Sequence, residues 1–174
     1  STAVADWTWA RFASVVKNPL DAQYTGATGG PLPSPAGGNQ SIAINNTAFS
    51  YVKQTTDAII EAGVTYTLTV AVGDRLDATP HDSFLLRLGY GTDTYLTKIV
   101  DNQPDGSNLV DGAFKDFSVS FTAEAGQAYI GQNLAILIGA QNNHGRTALT
   151  DLDNVRLTDS KAPPAAPGTL IYVK

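Results

Sequence analysis

Two histidines, His81 in TPHDS and His144 in NNHGR, are the only imidazoles in the chain. Imidazole is the side chain best suited to moving protons near neutral pH. Both sit among Asn, Pro and Gly, in contexts that read as solvated loops. No Gly-x-Ser-x-Gly elbow accompanies them, so a Ser–His–Asp nucleophile has no recognisable scaffold. The sixteen acidic residues could furnish a carboxylate pair for glycosidic cleavage, yet no spacing singles out two of them. On these residues the chain is expected not to be an enzyme.

Other chemistry is available to the acids and the aromatics. Asp74, Asp77 and Asp82 fall in GDRLDATPHD, Asp101 and Asp105 in DNQPDGSN, and Asp151 and Asp153 in DLDN. DNQPDGSN offers oxygen ligands at a loop spacing suited to Ca²⁺ but lacks the closing bidentate Glu of a full EF-hand loop. The competing account is Asp and Asn capping their own turns. Asp101, Asp105 and Asp153 are the metal candidates. No cofactor is expected beyond such a structural Ca²⁺. A glycan site needs an aromatic platform and planar polar partners. Trp7, Trp9 and Tyr95 are candidate platforms, with Arg75, Asn142, Asn143, His144 and Arg146 as candidate partners; Tyr24 and Tyr51 also lie outside the clear core alternation. The competing account for each Trp is core or edge packing, because indole usually buries most of its area.

These residues must be held by strands. In VTYTLTV, Val64, Tyr66, Leu68 and Val70 alternate with three threonines, the period of a half-buried strand. FLLRLGY puts Phe84, Leu86, Leu88 and Tyr90 on one face, and FSVSF does the same with Phe117, Val119 and Phe121. LAILI is apolar throughout and reads as a strand buried on both faces. SIAIN, FSYVKQ, TYLTKIV and NVRLT are further candidates, while DAIIEAG has room for one helical turn. Gly-, Asn- and Pro-rich turns separate them, the pattern of a β-sandwich or barrel. Charged residues are 16% of the 174, the net charge is −5, and there is no Cys. The acidity argues against nucleic acid or an anionic membrane as partner. The lack of Cys excludes disulfides and thiolate metal sites. No apolar run approaches the ~18 residues of a spanning helix, so no membrane insertion is expected. There is also no Met, from which a processed or truncated start is expected, by signal cleavage or by removal of an initiator Met; the composition favours export to the cell surface or beyond.

Five stretches in order, DWTWARFASVVKNPLDAQYTG, GNQSIAINN…YVKQT, IIEAGVTYTLTVAVGDR, FKDFSVSFTAEAGQ and LTDLDNVRLT, together resemble a bacterial exported jelly-roll module of the galactose-binding-like kind, related to carbohydrate-binding modules. The resemblance implies an antiparallel β-sandwich over residues 1–160. It also implies a structural Ca²⁺ between an acid on the closing strand, which Asp153 would match, and one on the opening strand. Such modules open with a strand before the Trp region, but here only STAVA precedes Asp6. After a Pro/Ala linker at 161–168 comes a spare apolar segment, Thr169, Leu170, Ile171, Tyr172, Val173 and Lys174. A missing opening strand and a spare closing one leave three readings: an ordinary edge strand or the start of a further domain, return of the strand into its own domain, or strand donation between copies. The resulting expectation is an extracellular structural subunit whose partners are other copies of itself in a fibre or surface layer. The alternative is a carbohydrate-binding module for polysaccharide.

Overall fold

The computed structural model describes residues 7–10, 13–17, 23–24, 40–45, 50–77, 84–101, 112–140 and 149–161. All regular structure among them is strand: β1 (Thr8–Ala10), β2 (Ala13–Lys17), β3 (Gln40–Asn45), β4 (Ser50–Ile59), β5 (Thr65–Gly73), β6 (Phe84–Tyr90), β7 (Thr94–Asp101), β8 (Phe114–Thr122), β9 (Asn133–Ala140) and β10 (Leu149–Asp159). They form two five-stranded antiparallel sheets, β1-β4-β9-β6-β7 and β2-β3-β10-β5-β8. This is the all-β sandwich of jelly-roll type that the alternation predicts. The segment 169–174 and the linker before it lie outside the described residues.

The alternation becomes burial directly. Tyr66, Leu68, Val70 and Val72 of β5 meet Leu86 and Leu88 of β6 and Leu134, Ile136 and Ile138 of β9 in one core. The opposite face of β5 carries the threonines. Thr65, Thr67 and Thr69 pair with Thr122, Ser120 and Ser118 of β8 at 2.8, 2.7 and 2.7 Å. Cross-strand hydroxyl pairs of this kind suit a sheet face turned to water. In β9, Leu137 is buried as well as its core-facing neighbours, which matches a strand covered on both faces.

DAIIEAG is not helical. Asp57 to Ile59 finish β4, and Gly63 turns the chain with φ 80°. The register of β4 against β9 shifts between Thr55 and Ile59. Thr56 holds the irregularity: its buried hydroxyl donates to the Leu134 carbonyl at 2.9 Å and accepts from the Ala58 N–H at 3.2 Å. Replacing it by Val would remove both bonds, the buried one to the Leu134 carbonyl and the part-buried one from Ala58 N–H. Thr56→Val is expected to cost about 1–3 kcal/mol in chemical denaturation, with little change in the denaturant slope.

Candidate functional site

One end of the second sheet, on the face turned away from the core, carries the densest chemistry. Leu152 faces the core, so Asp151 beside it faces outward, yet Asp151 is fully buried. Across the ladder Asp151 stands opposite Gly73 of β5, and Gly73 stands opposite Phe114 of β8. Glycine leaves a gap in that row. Tyr24, itself fully buried, fills it: its ring stacks on Phe114 with centroids 4.8 Å apart. Its hydroxyl donates to Asp151 Oδ2 at 2.6 Å. From β3, Ser41 Oγ makes a longer 3.5 Å contact to the same oxygen. Asp151 Oδ1 is buried with no hydrogen-bond partner.

The segment after β5 braces this arrangement. Asp74 N–H donates to the Ala113 carbonyl at 3.2 Å, and Gly112 N–H returns a bond to the Asp74 carbonyl at 2.9 Å. Leu76 N–H donates to the Gln23 carbonyl at 3.0 Å, tying the turn to the residue before Tyr24. Arg75 closes a two-pronged pair on Asp77, at 2.8 and 2.7 Å. That pair holds Asp77 below the usual carboxylate range and raises Arg75 further.

Burial dominates the electrostatics of the buried carboxyl. Removal from water pushes Asp151 up to about 6, against the smaller opposing pulls of the Tyr24 hydroxyl, the Arg75 charge and the Ser41 hydroxyl. The Tyr24 phenol is driven far above its ordinary value, first by burial and then by the adjacent Asp151 charge. Tyr24 therefore stays protonated and is the donor. A carboxyl near 6 that is neutral part of the time, with one unoccupied oxygen, is chemically equipped to lend a proton.

The residues expected from sequence are scattered. Arg75 does lie at this site, committed to Asp77. Tyr95 lies on the outer face of the other sheet, its ring 4.9 Å from the Arg87 guanidinium carbon. Trp7 packs against the core, as the packing account has it, and Trp9 is paired in β1 with Val52. Asn142, Asn143, His144 and Arg146 lie outside the described residues, as do Asp105 and the donor segment. Asp101 ends β7 and Asp153 lies in β10, in different sheets. Among the described residues no three His, Asp or Glu gather to hold a metal ion. Tyr24 and Asp151 were visible in the sequence only as a Tyr outside the core alternation and one acid of DLDN. The usable signal was an acid between Thr150 and Leu152 in a strand, where burial must change its chemistry.

The sequence model of one protein family, described as HpiC1-like (HpiC1 cyclase), matches residues 1–158. No curated protein matches the chain significantly. Among solved structures, a cyclase from Fischerella sp. TAU in complex with 4-(1H-indol-3-yl)butan-2-one is 23% identical with a TM-score of 0.68, covering 91% of this chain and 86% of that one. A Stig cyclase from the same organism, in complex with (3Z)-3-(1-methyl-2-pyrrolidinylidene)-3H-indole, is 23% identical with a TM-score of 0.68 over 89% and 85% of the two chains. An apo-form cyclase from Fischerella sp. gives 22% identity and a TM-score of 0.67 over 90% and 84%. The family match corrects the functional expectation. Neither a strand-donating structural subunit of a fibre nor an adhesive carbohydrate-binding module stands, and the expectation of no enzymatic activity is overturned. A β-sandwich does not by itself imply a function, and the chemistry of the acid at this site comes from burial, which a sequence pattern does not display.

Proposed function

The chain belongs to the HpiC1-like cyclase family, and on that premise we propose that it closes a ring in an indole-bearing substrate by proton donation from Asp151. The observation that carries the reading is the Asp151 carboxyl: buried, raised to about 6, and with Oδ1 free of any partner. A proton delivered to the substrate makes a neighbouring carbon electrophilic. The electron-rich indole then supplies the pair for the new C–C bond, one π bond is consumed, and a proton returns from the ring to the Asp151 carboxylate. The net reaction is an isomerisation with the acid regenerated. The substrate class is inferred from the indole compounds bound by similar folds. Phe114, half-buried and stacked on Tyr24 beside the acid, offers the aromatic face on which an indole packs by offset stacking.

The test begins with 4-(1H-indol-3-yl)butan-2-one as a binding probe in calorimetry, followed by turnover of indole-bearing precursors with product mass as readout. Binding that weakens at least about tenfold in Phe114→Ala, and products of unchanged mass, are expected. Absence of binding to any indole, or products whose mass differs from the precursor, would count against the proposal.

A further inference from the structure

The two oxygens of Asp151 are not equivalent. Oδ2 faces two donors, Tyr24 at 2.6 Å and Ser41 at 3.5 Å, and Oδ1 faces none. In a neutral carboxyl group the carbonyl oxygen is the better acceptor and the hydroxyl oxygen the donor. Donors gathered on Oδ2 therefore assign it the carbonyl role and leave the proton on Oδ1. Tyr24 reaches Oδ2 only because Gly73 lacks a side chain. A Cβ at that position would lie 2.9 Å from the Tyr24 hydroxyl oxygen and 2.7 Å from both Cε1 and Cζ of Phe114. Any other residue there would push the phenol off the carboxyl or the ring off its stack.

We propose that Tyr24 is a positioning residue that divides the work of Asp151: its hydroxyl holds Oδ2, Oδ1 is the oxygen that gives up the proton and takes it back, and the empty place at Gly73 is the slot that admits it. This rests on Asp151 being the acid of the cyclisation. The proton leaves Oδ1 as the substrate is protonated, and the carboxylate so formed keeps the Tyr24 hydrogen bond, which strengthens as charge develops. A proton returned after ring closure restores the neutral acid. Among the described residues, the other charges that bear on the carboxyl are Arg75, which favours the carboxylate, and Asp77, which opposes it; Asp153 stands two residues along on the same face of β10. Asp74 bears on the adjacent Tyr24.

Tyr24→Phe tests this with the ring and its stack retained. The Asp151 carboxyl is titrated by ¹³C NMR, its resonance assigned by loss in Asp151→Asn, and kcat and KM are followed across pH. Without the hydroxyl the carboxylate loses its strongest hydrogen bond. The NMR midpoint and the alkaline limb of kcat are expected to move together to higher pH, with kcat at the optimum about tenfold lower and KM within about twofold. Gly73→Ala is expected to move the midpoint the same way. If Gly73→Ala fails to fold by circular dichroism, Tyr24→Phe alone decides. A purely structural Tyr24 would lower melting temperature and kcat at all pH values with an unmoved midpoint, and that result overturns the proposal. An unmoved midpoint alongside an inactive Asp151→Asn overturns it alone. Full turnover by Asp151→Asn overturns the acid reading, and this assignment with it.

Discussion

Asp151→Asn is expected to abolish cyclase turnover, by about 10²–10⁴-fold, while making the protein more stable at neutral pH. The two effects share one cause. In the folded chain the carboxyl binds its proton up to about pH 6, against an ordinary value of 3.8. Between those values the folded state holds more protons than the unfolded one. The free energy of unfolding therefore falls as pH rises through that window. Two pH units correspond to about 3 kcal/mol, present below the unfolded value and lost above the folded one. Asparagine is nearly isosteric, can accept the Tyr24 hydrogen bond through its amide oxygen, and never ionises. The variant should be more stable than the wild type by about 1–3 kcal/mol at pH 8, a gain that shrinks towards zero near pH 4. Thermal unfolding at several pH values reads this as a melting-temperature difference of a few degrees that opens with rising pH. A structural carboxylate would behave oppositely, its loss destabilising at neutral pH. A variant that is both inactive and less stable at pH 8 would mean that Asp151 holds the fold together rather than storing an acid. Exchange of stability for activity at a buried titratable group is a common signature of catalytic sites.

The legibility of the sequence divides along a physical line. Where a residue's role follows from a period of two, the reading carries through. FLLRLGY becomes β6, Phe84–Tyr90, and the VTYTLTV threonines become the hydroxyl ladder against β8. Burial of LAILI on both faces is visible because no polar residue interrupts it. The reading fails where proximity is created by long-range register. Tyr24, Gly73, Phe114 and Asp151 are spread along most of the chain and meet only because β10 pairs with β5, β5 pairs with β8, and one glycine leaves space in the row. DLDN illustrates the difficulty. Read alone its acids cap turns or hold a metal, although the resemblance implies that it belongs to the closing strand. In the structure it is a strand, with Leu152 inward and Asp151 buried on the other side under a tyrosine. DAIIEAG failed for a local reason: its Ala, Ile and Glu favour helix weakly, but Thr56 and the ladder to β9 decide its backbone.

The sharpest structural prediction is Gly89→Ala, which is expected to cost more than about 3 kcal/mol and to melt one hairpin selectively. Gly89 sits where the β6–β7 pairing slips: Leu88 stands opposite Thr97 and Gly89 opposite Tyr95, leaving Leu96 as the extra residue. Such a bulge needs one strand to approach the other closely. A Cβ on Gly89 would fall 1.9 Å from the Thr94 carbonyl oxygen, 2.8 Å from Tyr95 Cα and 2.9 Å from the Thr94 carbonyl carbon. All three are backbone atoms, so no side-chain rotation relieves the overlap. To admit the methyl group β7 must withdraw, and with it Leu96, which packs against the core, and Tyr95 with its Arg87 contact. Gly91 in the same hairpin is the control. Its φ is 62° but a Cβ there meets nothing within 4 Å, so Gly91→Ala carries only the left-handed backbone penalty of about 1 kcal/mol. Hydrogen exchange should show the amides of β7 losing protection in Gly89→Ala while those of β5 and β10 keep theirs. Because the Asp151 carboxyl lies in the other sheet, its titration midpoint should be unchanged in whatever fraction remains folded. Equal small costs at Gly89 and Gly91 would show that β7 yields freely and that close approach at the bulge does not hold the hairpin.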